Sequence, residues 1–221
     1  MFTGIVQSTG RIESMESVGG DLRLVIHCPD LGLADVREGD SISVSGICLT
    51  AVNVSASGFS ADASRETLSL TTLAEARPGF LVNLEKALTL SSPLGGHLVT
   101  GHVDGKGQLL TRTEEARSVR FSIAAERDVA RYIARKGSIC VDGVSLTVNS
   151  VDGLLFDVNI VPHTLQATTA GEWRGGQQVN LEVDLIARYT ERLIEAGTAG
   201  GSESGKLSVE FFEECGFVKH C

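Results

Sequence analysis

The phrase GICLT at residues 46–50 returns as GVSLT at 143–147, and the offset of 97 carries much further along the chain. Residues 46–85 align with 143–182 without a gap, and 16 of the 40 pairs are identical. These include Phe59/Phe156, Thr67/Thr164, Leu68/Leu165 and the run VNLE at 82–85 and 179–182. The same offset pairs Thr3 and Gly4 with Thr100 and Gly101, Val6 with Val103, and Arg23 with Arg120. Only the stretch near 27–45 needs compensating one-residue shifts. A period this long exceeds any solenoid unit and marks a duplicated small domain, so whatever one half folds into, the other must too.

Within each copy the pattern has period two. SISVS at 41–45, FSADA at 59–63, VRFSI at 119–123 and VNLEV at 179–183 alternate apolar and polar residues, as half-buried strands do, and glycines punctuate them at short intervals. Closure removes exposed edges, so the expected fold is mainly β: two tandem, similar six-stranded antiparallel β-barrels with short helices and a C-terminal α-helix. The expected domains are 1–96, 97–186 and 187–221. Helical spacing appears at 126–136 (Val129, Tyr132, Ile133) and at 185–196 (Ile186, Tyr189, Leu193, Ile194). GTAGGSESGK at 197–206 reads as a linker, with Ser208 capping a short final helix that carries Phe211 and Phe212.

A net charge of -9 with no basic stripe argues against a nucleic-acid partner. No apolar run approaches a membrane span and no signal-peptide pattern opens the chain, so the expectation is a cytoplasmic protein. Five cysteines at wide spacings, with no CxxC pair, read as free thiols rather than a disulfide framework or a zinc site.

Identical residues in the two copies hold the scaffold; differing ones can differentiate two sites. Cys48 faces Ser145, a thiol against a hydroxyl, although a cysteine at a strand end is by default a packing residue. His102 faces Ile5, Glu66 faces His163, Arg65 faces Pro162, and Asp184 faces Ala87. His97 and His102, five apart, would point to opposite faces of one extended strand, which excludes a shared metal. No nucleotide, zinc or serine-hydrolase signature is present.

The opening MFTGIV, the two GxxLT phrases, RETL at 65–68 with PHTL at 162–165, and GGHLVTGHVD at 95–104 together resemble riboflavin synthase of the alpha-chain type, built from two lumazine-binding barrels. The resemblance covers essentially the whole chain. It implies dismutation of two molecules of 6,7-dimethyl-8-ribityllumazine into riboflavin and 5-amino-6-ribitylaminouracil by four-carbon transfer, with no cofactor and no metal. It also implies a homotrimer with active sites between subunits, assembled through C-terminal helices, and lumazine synthase as a further partner.

Carried over by position, the first half-site comprises Gly4, Ile5 and Val6 with Cys48, Leu49 and Thr50, and Asp62, Ala63, Ser64, Arg65, Glu66 and Thr67, with Phe2 lining it. The second comprises Gly101, His102 and Val103 with Lys136, with Ser145, Leu146 and Thr147, and with Ile160, Val161, Pro162, His163 and Thr164. The resemblance assigns proton transfer and positioning to His102, Ser145 and Thr147, assisted by Cys48 and Asp184; Asp62, Thr67 and Thr164 suit ribityl hydroxyls. The family usually carries a glutamate where this chain has His163. The alternative is a non-catalytic antenna that holds a lumazine or flavin. Antennae of this fold tend to lose the polar residues of their second half-site, and here His102, Lys136, Ser145 and Thr147 are all present.

Overall fold

The computed structural model describes residues 1–199. Met1–Leu185 form one compact unit, and the chain from Ile186 onward belongs to a second. The first copy contains β1 (Ser8–Val18), β2 (Asp21–His27), β3 (Ser41–Val44), β4 (Ile47–Thr50), β5 (Gly58–Ala63), α1 (Arg65–Leu70) and β6 (Leu81–Lys86). The second repeats it with β7 (Gly105–Glu115), β8 (Ser118–Ala125), α2 (Arg127–Ala130), β9 (Ser138–Val141), β10 (Val144–Asp152), β11 (Leu155–Ile160), α3 (Pro162–Ala167) and β12 (Gln178–Val183). Strand order is β4-β3-β6-β1-β2-β5 in the first sheet and β10-β9-β12-β7-β8-β11 in the second, antiparallel throughout.

Alternation turns one face of the outer strands inward, while β3, β6, β9 and β12 are buried on both. On β8, Val119, Phe121, Ile123 and Ala125 are buried between half-exposed neighbours, and Trp173 meets Phe121 edge-on at 5.5 Å. The first core gathers Ile12, Leu24, Ile26, Phe59 and Leu84 in the same way.

The two copies differ in closure. The second sheet is a closed barrel, because β10 runs on to Asp152 and pairs with β11. The first closes only through the bridge between Val52 and Ser60, with two hydrogen bonds of 2.8 Å. Asn53 adopts φ +50° and its N–H donates to Glu38 Oε1 at 3.0 Å, which ends the ladder where β10 continues. The expected helix over 126–136 is also shorter: α2 spans one turn. Lys136 lies at φ +68° and its N–H donates to Val148 O at 2.8 Å, drawing the chain back to the sheet.

α4 (Leu185–Ala199) follows, with Ile186, Tyr189, Leu193 and Ile194 all more than half exposed. It runs past Gly197, where the sequence predicts a linker; the final helix expected after Ser208 lies outside the described residues.

The barrels meet on a pseudo-twofold axis that explains the repeated phrases. Gly46 and Gly143 sit in the β3–β4 and β9–β10 turns at φ +83° and +80°. A Cβ on Gly46 would lie 2.9 Å from Gly143 N, and one on Gly143 2.8 Å from Gly46 N, so no side chain fits at either position. The VNLE run is accounted for residue by residue: Val82, Leu84, Val179 and Leu181 fill the two cores, and the asparagines lock the barrels together. Asn83 Nδ2 donates to Asp142 O at 2.8 Å and Asn180 Nδ2 to Ser45 O at 2.9 Å, while their side-chain oxygens accept from Thr169 N and Thr72 N, both at 2.8 Å. All four groups are paired in a buried interface, the condition under which polar networks stabilise it.

Candidate functional site

The glutamates of VNLE hold the Thr-Gly turns. Glu85 accepts hydrogen bonds from Thr3 N (2.7 Å), Thr3 Oγ1 (2.7 Å) and Gly4 N (2.9 Å). Glu182 does the same for Thr100 N (2.6 Å), Thr100 Oγ1 (2.7 Å) and Gly101 N (2.9 Å). Burial pushes both carboxyls up, opposed by these donors.

The turns then cross the axis. Phe2 and Val99, equivalent residues, bridge each other through N···O contacts of 2.7 and 3.1 Å. Beyond that bridge, Ser145 N donates to Gly4 O at 2.7 Å and Cys48 N to Gly101 O at 2.8 Å. A Cβ on Gly4 would fall 2.6 Å from Ser145 Cβ, and one on Gly101 2.5 Å from Cys48 Cβ. Val6 packs on the second core and Val103 on the first. The expected half-site grouping is therefore corrected: within one chain Gly4, Ile5 and Val6 stand against Ser145, Leu146 and Thr147, and Gly101, His102 and Val103 against Cys48, Leu49 and Thr50. Physically, the Phe2–Val99 bridge delivers each turn to the other copy's barrel.

The two half-sites are alike in backbone and unlike in chemistry. Ser145 is paired with His97, Nδ1 to Oγ at 2.7 Å, rather than with the expected His102, whose exposed side chain rides on the turn against Cys48. His97 reaches Ser145 because its N–H donates to Thr3 O at 3.1 Å, laying the segment between the barrels over the Gly4 turn. Burial lowers the His97 pKa, which favours the neutral ring, and Asp184 works against that. Among the described residues its Nε2 is buried without a partner. Cys48 is instead half-buried against Phe2, Val99 and Cys140, with Ala87 where the other copy has Asp184. Sequence reasoning considers His97 only as half of a metal pair. The signal that could have found it is its place: His97 lies on the segment between the two copies, outside the aligned pairs.

The remaining candidates divide by environment. Ala63 and Ile160 are buried; Thr50, Thr147, Lys136, Glu66 and His163 are exposed. Ser64 caps α1, accepting from Thr67 N at 3.2 Å, whereas Val161 precedes α3 with no side-chain cap and Pro162 begins it. Arg65 Nε donates to Gly20 O at 3.1 Å. Asp62 is engaged within the chain: both its oxygens accept from Arg23 at 2.7 Å, across the β2–β5 pair, in a surface ion pair that lowers its pKa.

Comparison with known proteins fits this doubled geometry. The lumazine binding domain family matches residues 3–87 and 100–184. The riboflavin synthase of Photobacterium phosphoreum is 43% identical over 218 residues, covering 99% of this chain and 100% of that one. That of Mycobacterium tuberculosis is 46% identical over 202 residues, covering 89% and 99%. The chain belongs to the riboflavin synthase family. Among solved structures, LumP complexed with riboflavin superposes with a TM-score of 0.77 at 28% identity, covering 83% of this chain and 99% of that one. LumP complexed with 6,7-dimethyl-8-(1'-D-ribityl) lumazine gives 0.75 at 27% over the same shares. The riboflavin synthase family thus accounts for both repeats, and no helix among the described residues is long and apolar enough to cross a membrane.

Proposed function

We propose that each half-site holds one 6,7-dimethyl-8-ribityllumazine and that the pair is dismutated to riboflavin and 5-amino-6-ribitylaminouracil, the reaction of the riboflavin synthase family. Two lumazines carry all the atoms of the two products, so a four-carbon unit moves with no outside reactant. The observation that carries this reading is the His97–Ser145 pair in only one of two otherwise equivalent half-sites. Two identical molecules must play unlike parts, one losing a 7-methyl proton and the other accepting attack at C7. The Ser145 half-site offers a neutral imidazole and a hydroxyl to take that proton; Asp184 stabilises the imidazolium that forms. The Cys48 half-site offers a thiol and the exposed His102 to the acceptor. Lys136 and Thr147 assist at the Ser145 half-site, and Thr67 and Thr164 serve the ribityl chains. Holding both rings in register replaces a bimolecular encounter, which can supply about 7–11 kcal/mol of the barrier.

The facing half-sites belong to different subunits of a homotrimer, with Ile186, Tyr189, Leu193 and Ile194 of α4 as its apolar contacts. Segments 1–96, 97–186 and 187–221 act as two binding barrels and an assembly tail. The protein works in the cytoplasm, where lumazine synthase supplies the substrate. The likeness to LumP supports an antenna as the second reading, which the His97, Ser145 and Asp184 constellation disfavours.

The test is His97→Gln against the unsubstituted protein. A loss of about 100-fold or more in kcat, with lumazine affinity retained, is expected for removal of a general base; unchanged kcat would overturn the assignment.

A further inference from the structure

A cavity of about 480 Å³ lies where the barrels meet, and it shares no lining residue with either half-site. Its size is that of a small-molecule pocket. Several lining residues come in equivalent pairs, as a pseudo-twofold axis requires: Ser45 with Asp142, and Thr72 with Thr169. Two of the four charged ones break that symmetry in residue type. Arg11 lines the cavity where its counterpart is Gln108, and Asp142 stands where its counterpart is Ser45.

Scaffold needs do not explain Asp142. Ser45 makes the same two backbone connections, its N–H donating to Asn83 O at 2.7 Å and its Oγ accepting from Asn83 N at 3.2 Å. Asp142 N donates to Asn180 O at 2.9 Å and Asp142 Oδ1 accepts from Asn180 N at 2.7 Å. A serine satisfies the turn, and the carboxyl adds a second oxygen. Asp142 is 7% exposed, and among the described residues nothing donates to Oδ2. With one oxygen engaged by Asn180 N, the carboxyl turns its other oxygen to a cavity from which a ligand could donate to it. Arg77 lines the same cavity, as does Arg11, whose guanidinium also donates to Gly79 O. Glu172, Gln177 and Gln178 complete the polar wall.

We propose that this cavity binds a small polyhydroxy phosphate, its anionic group held by Arg11 and Arg77 and its hydroxyls donating to Asp142 and Glu172. Two guanidiniums suit phosphate oxygens, and the two carboxyls have no use for an anion but accept from hydroxyls. The amides of Gln177 and Gln178 serve either kind of hydroxyl atom.

Ribose 5-phosphate is the probe, titrated calorimetrically into the full chain at pH 8, where the Asp142 carboxyl is ionised. Saturable binding that leaves bound lumazine in place is expected. Arg11→Gln and Asp142→Ser each install the residue that the other copy already carries at the equivalent position, so both keep the fold, checked by melting temperature. Each should weaken binding by about 10-fold or more, the cost of removing one partner of a charged hydrogen bond. Inorganic phosphate, lacking the polyol, should bind more weakly than ribose 5-phosphate and be insensitive to Asp142→Ser. The proposal is overturned by no saturable heat, by displacement of lumazine, by equal affinity in the folded variants, or by phosphate binding as tightly as the sugar phosphate. The readout is binding alone, so it stands apart from turnover.

Discussion

His97 and Ser145 meet at 2.7 Å, the histidine on the segment that links the two copies and the serine on a strand of the second. Burial lowers the His97 pKa from its ordinary 6.5, and the nearby Asp184 carboxylate opposes the fall. The base form is therefore lost only when pH drops below 6.5. The acid limb of the kcat–pH profile should lie below that value. Asp184→Asn removes the influence that raises the pKa, so it should move the limb to still lower pH. A limb unmoved in that variant would detach His97 from the rate.

Asp142 gives a stability prediction of opposite sense. Desolvation pushes its carboxyl up to about 7, against one opposing backbone hydrogen bond. The folded chain thus keeps a proton that the unfolded chain loses near the ordinary carboxylate value of 3.8, and the contribution favouring the fold declines as pH rises from there to about 7. Arg11, Arg77 and Glu172 are the charged groups facing it across the cavity. Asp142→Asn keeps an acceptor for Asn180 N and cannot ionise. Its melting temperature should exceed that of the unsubstituted protein at pH 8 and match it more closely at pH 5, by scanning calorimetry.

The Gly46–Gly143 contact should be among the least tolerant in the molecule. Gly143→Ala places a Cβ 2.8 Å from Gly46 N at a positive φ, and about 2–3 kcal/mol of stability should be lost, read as a lower urea midpoint. A change below about 0.5 kcal/mol would mean that the two turns separate freely.

Much of this architecture is legible in the chain because duplication isolates constraint. The VNLE run survives in both copies since each of its four residues is fixed by a contact, two in the core, one across the axis and one on a Thr-Gly turn. Strand β8 is legible from alternation, because one face is buried; β12 alternates apolar and polar residues although both its faces are buried, the polar ones against the other copy and the Thr100–Gly101 turn. The shortened α2 is not: helical spacing of Val129, Tyr132 and Ile133 is outweighed by Lys136 pairing with Val148, a contact 12 residues distant. Nor is the crossing of the turns, which depends on the Phe2–Val99 bridge and leaves no local pattern. His97 escapes because it lies on the segment between the copies, where their comparison weighs no pair.

The exposed face of α4 gives a prediction about assembly. Ile186→Glu with Leu193→Glu puts two charges among side chains that are 69% and 73% exposed in the single chain, so the fold should survive. If these residues make the subunit contacts, sedimentation should show a shift from trimer to monomer, and turnover should fall with it. A protein that sediments unchanged would place the contacts elsewhere.

Incubation of the purified protein with 6,7-dimethyl-8-ribityllumazine alone, with both products quantified by chromatography, asks whether one chain gives two copies of one molecule opposite fates. One riboflavin and one 5-amino-6-ribitylaminouracil should appear for every two lumazines consumed. Lumazine that binds and is recovered unchanged would contradict the division of roles between the two half-sites.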